Sequence, residues 1–269
     1  MELVGYISAV LIGISLGLIG GGGSALALPV LVYLFHIPAQ KAIPDTLFIV
    51  GIASLTGALS YLYQNLISFR SVFVFGIPSI LSVYFTRSWL APSIPQELSF
   101  PGAILISKDM FFLIIFAFLM LAASFSMIRP AKQAAMRNEP DEDRAYPYIQ
   151  MMLSGLCVGF LAGLVGAGGG FLIIPALVLL ARLPMKTAIG TSLLLISINS
   201  AIGFYGSLSA LPSINWSFLC IFSSLSVFGI FMGMYLSRKV SGTALKPAFG
   251  WFILITGTFI ILHQLYPSH

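Results

Sequence analysis

Charged side chains are scarce in this sequence: only 8% of its 269 residues are Asp, Glu, Lys or Arg, whereas 58% are apolar. Soluble domains carry roughly 25% charged residues, so a water-exposed globular fold is excluded. The mean hydropathy of +1.02 agrees with that exclusion. We therefore expect an integral membrane protein that has the lipid bilayer as a partner over most of its surface.

Cysteine is also scarce. The two cysteines, Cys157 and Cys220, lie inside apolar runs and lack C-x-x-C spacing. This arrangement argues against a disulfide, a redox pair or a metal site, and favours buried structural thiols. We expect no cofactor and no metal. The net charge of +5 is spread over short loops and forms no basic face, which argues against a nucleic-acid partner.

Apolar runs of helical length are abundant, and short polar breaks separate them. This pattern indicates a helical bundle and disfavours a barrel, whose strands alternate over about ten residues. The segments lie at about 3–19, 24–36, 39–63, 70–89 and 109–128, then at about 148–165, 170–182, 185–208, 215–237 and 245–264. Residues 129–147 carry four basic and four acidic side chains. The sequence predicts an all-α membrane protein in which a charged cytoplasmic linker, 129–147, joins the membrane domains 1–128 and 148–269.

The two halves are related in sequence. The stretch GLIGGGGSALALP (Gly17–Pro29) recurs 146 positions later as GLVGAGGGFLIIP (Gly163–Pro175). Residues 17–60 match residues 163–206 at 17 of 44 positions, and the matches include aligned glycines and prolines that shared apolar composition would not supply. We interpret the chain as a duplication in which the glycine-rich element is duplicated too.

An odd number of segments in each half makes the second repeat inverted relative to the first. Lys and Arg concentrate in cytoplasmic loops, which provides a test. With 129–147 in the cytoplasm, ten of the thirteen basic residues lie inside, and three lie outside, namely Lys41, Arg87 and Lys108. Four traverses per half would split the basic residues about evenly, so we reject that alternative. Both termini are then predicted to be extracytoplasmic.

The first two segments of each half are short. About 13 residues of helix reach about 20 Å of a roughly 30 Å apolar core. Each pair is predicted to form a hairpin, turning at Gly20–Gly23 and at Gly166–Gly170, that either crosses fully or stops near the midplane. Lipid cannot satisfy the backbone groups of such a turn, which must face protein, water or a ligand. Glycine permits the positive φ of a tight turn and the close approach of a ligand.

The helices that leave the turns are predicted to begin at Ser24 and near Phe171, so that two positive helix ends converge. This predicts an anion site without a buried cation. A nucleotide-phosphate loop is disfavoured, because no Lys-Ser/Thr follows the glycines. Close helix packing is the alternative role for glycine, and it is favoured for the pairs Gly13/Gly17 and Gly159/Gly163. The candidate anion ligands are Gly20, Gly21, Gly22, Gly23, Ser24, Gly166, Gly168, Gly169 and Gly170.

The segment after each hairpin has small or weakly polar residues on one helical face. Such a face suits either helix packing or a narrow hydrated path. The amide of Asn199 needs partners and favours the path at that position. The face comprises Thr46, Ala53, Gly57 and Ser60 in the first half and Ser192, Asn199, Gly203 and Gly206 in the second; the further substrate-binding candidates are Thr46, Thr191, Ser192 and Asn199.

Asp45 is an acidic residue well inside a predicted span, and its equivalent in the second half is Thr191. An intramembrane carboxylate is a candidate proton carrier. The alternative is a structural ion pair with Lys41, four residues earlier.

On these residues the chain resembles the sulfite exporter TauE/SafE family of membrane permeases. The resemblance rests on GGGGSALALP and GAGGGFLIIP, each followed by Pro, Ala and Thr/Ser-Leu, and it covers nearly the whole chain apart from 90–108. Pro44-Asp45-Thr46 departs from the simpler pattern found at 188–193. The resemblance implies movement of small sulfur-containing anions, such as sulfite, sulfoacetate or related organosulfur oxyanions, commonly outward.

The leading hypothesis is a secondary transporter, not an enzyme, in which two inverted repeats move around a midplane anion site. An anion channel and an uptake permease for another small oxyanion remain alternatives. An intramembrane hydrolase with Ser24 as nucleophile is disfavoured, because no His or Lys lies at a comparable depth to activate it. A structural scaffold would leave the paired glycine blocks unexplained.

Overall fold

The computed structural model of this chain describes residues 2–90, 93–94, 97–100, 104–128, 148–165, 170–208 and 214–265. Across those ranges the chain is helical almost throughout, which confirms the predicted α class. The linker 129–147, on which the predicted domain boundaries depend, lies outside the described residues. So does the central part of the second glycine turn, 166–169.

The first half of the described chain contains five α-helices and one small hairpin of β-strands. Short π-helical turns extend α2 at Val30–Leu34 and α4 at Thr86–Leu90. The strands β1 (Glu97–Phe100) and β2 (Ile104–Ser107) pair antiparallel between α4 and α5. The all-α prediction missed this hairpin, although apolar residues at every second position around Pro101-Gly102 are a strand signal. The helices are α1 (Glu2–Ile19), α2 (Gly22–Pro29), α3 (Ala39–Tyr63), α4 (Phe69–Phe85) and α5 (Lys108–Ile128).

The second half repeats the order of helices. They are α6 (Tyr148–Val165), α7 (Gly170–Leu179), α8 (Met185–Ser207), α9 (Trp216–Lys239) and α10 (Gly242–Leu265).

Several described helices are long and apolar enough to cross a membrane. By length and composition they are Lys41–Tyr63, Phe69–Leu90, Met185–Ser207 and Trp216–Lys239. Shorter apolar helices lie at Gly5–Ile19, Tyr148–Leu164 and Pro247–Leu262. These lengths and compositions are those of a multi-pass membrane protein.

The connections that lead into α3 and α8 have the same conformation. His36 and Arg182, at equivalent positions, both have φ of 53°. The residue after each of them donates a hydrogen bond to the carbonyl oxygen six positions earlier, in the preceding helix. The Ile37 N–H donates to the Leu31 carbonyl oxygen (3.1 Å), and the Leu183 N–H donates to the Leu177 carbonyl oxygen (3.2 Å). These bonds satisfy carbonyls that a helix end leaves free. The duplication therefore extends from sequence to local structure.

The first helix of each half packs on the fourth helix of the other half: α1 packs on α9, and α6 packs on α4. A β-carbon on Gly13 or Gly17 would overlap the carbonyl oxygen of Ser226 or Ile230, respectively. The packing role predicted for these glycines is confirmed, because no side chain fits between the two backbones. Later residues of α1 meet later residues of α9, so the two helices run parallel.

The contact between α6 and α4 has the same form. A β-carbon on Gly159 would overlap the Ser79 carbonyl oxygen, and Gly163 lies against Thr86 and Val83. Ser79 and Ser226 occupy equivalent places in the two contacts. The predicted packing role of Gly159 and Gly163 is thereby confirmed as well.

The third helices α3 and α8 pack on each other, as do the fifth helices α5 and α10. Gly203 near the end of α8 lies against Leu47 near the start of α3, whereas Gly57 near the end of α3 lies against Leu193 of α8. The two helices therefore run antiparallel.

The prediction of buried thiols is wrong: Cys157 on α6 and Cys220 on α9 are both exposed. Both lie on helix faces that carry exposed apolar side chains, such as Phe160 and Ile221. In a membrane an apolar run can face lipid or protein, so hydrophobicity alone does not indicate burial.

Candidate anion site

The first glycine turn reverses the chain between α1 and α2. Gly20 has φ of +81°, and its N–H donates to the Leu16 carbonyl oxygen at 2.7 Å. Gly21 is the N-cap residue of α2 and has no side chain to cap the helix. The first N–H groups of a helix have no intrahelical acceptor, so this end of α2 offers donors to a ligand.

Two details of the predicted turn need correction. Helix α2 begins at Gly22 and not at Ser24. The described part of α7 begins at Gly170, which agrees with the predicted start near Phe171. Gly22 is therefore helical, and the positive φ expected across the glycine block falls on Gly20.

Gly23 has a packing role in the structure. A β-carbon there would overlap the Ile12 carbonyl oxygen and the Leu16 side chain of α1. Near the open end of the hairpin, Gly5 lies equally close to the Phe35 ring. Gly23 thus holds the two arms together, because a side chain there would meet α1. Its backbone N–H lies in the first turn of α2, so its role as an anion ligand stays a prediction.

The start of α7 packs directly on the first turn. A β-carbon on Gly170 would lie 2.7 Å from Ser24 Oγ and 3.0 Å from Gly21 Cα. The N-termini of two helices, one from each half, therefore meet. The predicted residues Gly166, Gly168 and Gly169 lie outside the described residues.

The meeting point lies halfway along the spans. The same β-carbon on Gly170 would lie 2.6 Å from Ile196 Cδ1. Ile196 is 11 residues into the 23-residue helix α8, or about 16 Å from its start at 1.5 Å per residue. The contact is therefore near the middle of the helix.

Serine hydroxyls line the contact. Ser24 and Ser192 are completely buried. Ser24 Oγ donates to the Gly21 carbonyl oxygen at 2.7 Å, and Ser192 Oγ donates to the Ile189 carbonyl oxygen at 2.8 Å. Ser192 Oγ would lie 3.0 Å from a β-carbon on Gly20. Each hydroxyl keeps its oxygen lone pairs, while its proton is already engaged.

Thr46, the equivalent of Ser192 in the first half, is also completely buried. Its hydroxyl has no hydrogen-bond partner in the described part of the chain. An unpaired buried hydroxyl can donate to a ligand, which is consistent with the predicted role of Thr46.

Thr191 is placed differently. Its Oγ1 accepts a hydrogen bond of 3.0 Å from the backbone N–H of Ser68, in the connection between α3 and α4. The hydroxyl therefore joins α8 to the start of α4, and its neighbour Ser192 is the residue that reaches the first turn.

Asn199 is 1% exposed, and its Nδ2 donates to Ser79 Oγ on α4 at 3.0 Å. Its Oδ1 has no partner among the described residues. Ser79 was not among the predicted site residues. The signal was available in the equivalent serine of α9, Ser226, because a serine at the same place in two apolar helices suggests a polar contact.

Asp45 is partly buried in α3, and Lys41 is exposed. The two side chains, both within the described chain, form no ion pair, so the structural alternative predicted for Asp45 is not observed. The role of Asp45 as a proton carrier stays a prediction.

Basic side chains near the described helix ends are exposed at Lys41, Arg70, Arg182, Arg238 and Lys239, and Lys186 at the start of α8 is half-buried. The positive potential at the meeting of α2 and α7 is therefore supplied by backbone N–H groups. Among the described residues no cluster of three His, Cys, Asp or Glu could hold a metal ion.

A cavity of about 460 Å³ lies between α3 and α8, away from the turns. Its walls are mainly apolar and include Phe48, Phe204 and Tyr205. Phe48 packs against Phe204 and Trp216 with ring centroids 5.2 and 5.7 Å apart. The chemistry of these walls does not suit a small oxyanion.

Comparisons with known proteins agree with a transport role. The family model described as sulfite exporter TauE/SafE matches residues 6–260. A probable membrane transporter protein of Xylella fastidiosa (strain Temecula1) is 27% identical over 259 residues, which cover 93% of this chain and 91% of the relative. YunE of Bacillus subtilis is 26% identical, with 93% of each chain covered. MJ0441 of Methanocaldococcus jannaschii is 26% identical, with 97% of this chain and 94% of the relative covered. No solved structure gives a significant match.

Proposed function

Because this chain belongs to the sulfite exporter TauE/SafE family of membrane transporters, we propose that it moves small sulfur-containing oxyanions, such as sulfite or sulfoacetate, outward across the cell membrane. The anion binds where α2 and α7 begin.

The observation that carries this proposal is the contact of Gly170 with Gly21 and Ser24. Helix N-termini bind anions because their free N–H groups and their dipoles both favour negative charge. Two such ends at one point suit a ligand with several oxygen atoms. A buried Lys or Arg would cost several kcal/mol at this depth, and backbone donors avoid that cost.

The directions of the helices support a transport cycle between inverted repeats. Helix α3 runs antiparallel to its equivalent α8, as two repeats of opposite orientation require. The anion site lies at the contact between the repeats, so that rocking of one repeat against the other would expose it to each side in turn. In this arrangement 129–147 is cytoplasmic and both termini are extracytoplasmic.

The test is binding to purified protein of sulfite, sulfoacetate, thiosulfate, sulfate and taurine, followed by efflux of the bound anions from loaded vesicles. We expect sulfite or sulfoacetate to bind, and Gly20→Ala to weaken that binding at least about tenfold. An alanine there would sit at positive φ, which costs about 1–2 kcal/mol, and would crowd Ser192 Oγ.

Gly257→Ala is the matched control, because it makes the same chemical change between α10 and α5. Equal loss of affinity in both variants, or undiminished affinity in a folded Gly20→Ala protein, would contradict the proposed site. Efflux without saturation would indicate a channel.

A further inference from the structure

One face of α8 connects the anion site to Asn199. Ser192, Ile196, Asn199 and Gly203 recur at helical spacing along that face. Ser192 Oγ faces Gly20, and Ile196 Cδ1 faces Gly170. Asn199 follows Ile196 by three residues, a rise of about 4.5 Å. The amide therefore lies about one helical turn beyond Ile196, the residue that contacts Gly170.

The Asn199 amide makes one hydrogen bond through Nδ2, which fixes its orientation, and its Oδ1 accepts none from the described residues. Nδ2 donates to Ser79 Oγ at 3.0 Å. Oδ1 is buried, and within the described residues it has no donor. Buried acceptors in folded proteins are almost always paired, so an exception at a binding site indicates a ligand that donates.

The first half of the protein shows that the fold does not require this amide. Ala53 is the equivalent of Asn199, and Ser226 is the equivalent of Ser79. Ser226 Oγ donates instead to the Ala9 carbonyl oxygen of α1 at 3.1 Å. The same helix packing is thus built with and without the polar pair, and the pair has a purpose beyond packing.

We propose, on the basis of the proposed anion site, that Asn199 Oδ1 selects oxyanions that still carry one proton, and that Ser79 is its positioning residue. A carbonyl oxygen can only accept hydrogen bonds. An oxyanion that has lost every proton presents only lone pairs to it and is repelled, whereas one that retains a proton can donate to it. Backbone N–H groups at the starts of α2 and α7 recognise the negative charge, and Asn199 recognises the proton.

For sulfur oxyanions the preferred form is therefore a hydrogen sulfite-type monoanion. The fully deprotonated sulfite dianion is disfavoured at the same site. Sulfoacetate also carries no acidic proton near neutral pH, so hydrogen sulfite is expected to bind more tightly than sulfoacetate. The protein then distinguishes anions of equal size by protonation as well as by charge.

The experiment compares two tetrahedral dianions at mildly alkaline pH: hydrogen phosphate, which keeps one proton, and sulfate, which has none. Wild-type protein is expected to bind hydrogen phosphate at least about tenfold more tightly than sulfate. Asn199→Ala, which introduces the residue of the first half, should bring the two affinities close together. Ser79→Ala should reduce the preference, because the amide loses its anchor.

Ser226→Ala is the matched control and should leave the preference unchanged, since that serine bonds to α1. A thermal unfolding curve for each variant establishes that it is folded. An unchanged preference in Asn199→Ala overturns the inference, as does wild-type protein that prefers sulfate or binds neither dianion. Sulfite binding that remains sensitive to Gly20→Ala would then leave the proposed function standing. If wild-type protein binds no oxyanion at all, both the inference and the proposed function are wrong.

Discussion

Ser24 and Gly170 occupy equivalent positions in the two halves, and they touch: Ser24 Oγ lies 2.7 Å from the point that a β-carbon on Gly170 would occupy. Equivalent residues can meet only on the axis that exchanges the two halves. At that axis the start of α7 packs against the tip of the first hairpin, so movement of either one affects the other. One member of the pair must be glycine, because two side chains would not fit.

Exchange of these two residues tests the contact. Gly170→Ser alone should collide with Ser24 and lower sulfite affinity at least about tenfold. Adding Ser24→Gly restores one side chain and one glycine at the axis, so we expect the double variant to recover much of the affinity. Calorimetric titration of the three proteins measures this. A double variant no better than Gly170→Ser would show that the positions do not act as a pair.

The packing glycines predict a different pattern. Gly13→Ala and Gly159→Ala each push a methyl group against a backbone carbonyl, of Ser226 and Ser79 respectively. Overpacking of this kind costs about 1–3 kcal/mol of unfolding free energy. We expect lower thermal stability and near-normal sulfite affinity in the folded protein.

Gly203→Ala is the control for these packing variants, because its nearest neighbours are the flexible ends of the Leu47 side chain. It should be milder than either packing variant. If all three lowered stability equally, close backbone approach would not be the reason for glycine at positions 13 and 159.

Much of this fold could be predicted because the sequence repeats. Repetition located the paired turns, and helical spacing distinguished Gly13 and Gly159 from the glycine blocks. Pro38 and Pro184 are the N-cap residues of α3 and α8, so the predicted starts at 39 and 185 were correct. These features are encoded within a few residues, where backbone chemistry decides the outcome.

The remaining features depend on which face of a helix meets which neighbour. The Asn199–Ser79 bond joins residues 120 apart in the chain, and no local pattern indicates that pairing. The exposure of Cys157 could not be read from its apolar run, because lipid and protein neighbours are equally apolar. The packing contact of Gly23 with α1 was not predicted, because a block of glycines does not reveal which member turns and which one packs.

Topology can be tested at described, exposed positions. The inverted arrangement places Gln64, between α3 and α4, in the cytoplasm, and Ser93, after α4, outside. In a protein with Cys157→Ala and Cys220→Ala, we expect a membrane-impermeant maleimide to label Ser93→Cys in intact cells and Gln64→Cys only after permeabilisation. Asn138→Cys in the predicted linker should behave like Gln64→Cys. Labelling of Gln64→Cys and Asn138→Cys in intact cells would reverse the orientation.

Asp45 is an acidic residue that the second repeat lacks, since Thr191 is its equivalent. If its carboxylate carries a proton during transport, Asp45→Asn should lose much of the accumulation of sulfite that an imposed pH gradient drives, because an amide cannot exchange that proton. Binding at the turns and sulfite exchange at equal pH should persist, since neither step requires net proton movement.

Asp45→Thr, which introduces the residue of the second half, should behave in the same way, and it separates loss of the ionisable group from loss of packing. Reconstituted vesicles with and without a pH gradient provide the measurement. If both variants accumulate sulfite under a pH gradient as wild type does, Asp45 has a structural role. The transported proton is then the one carried by the substrate.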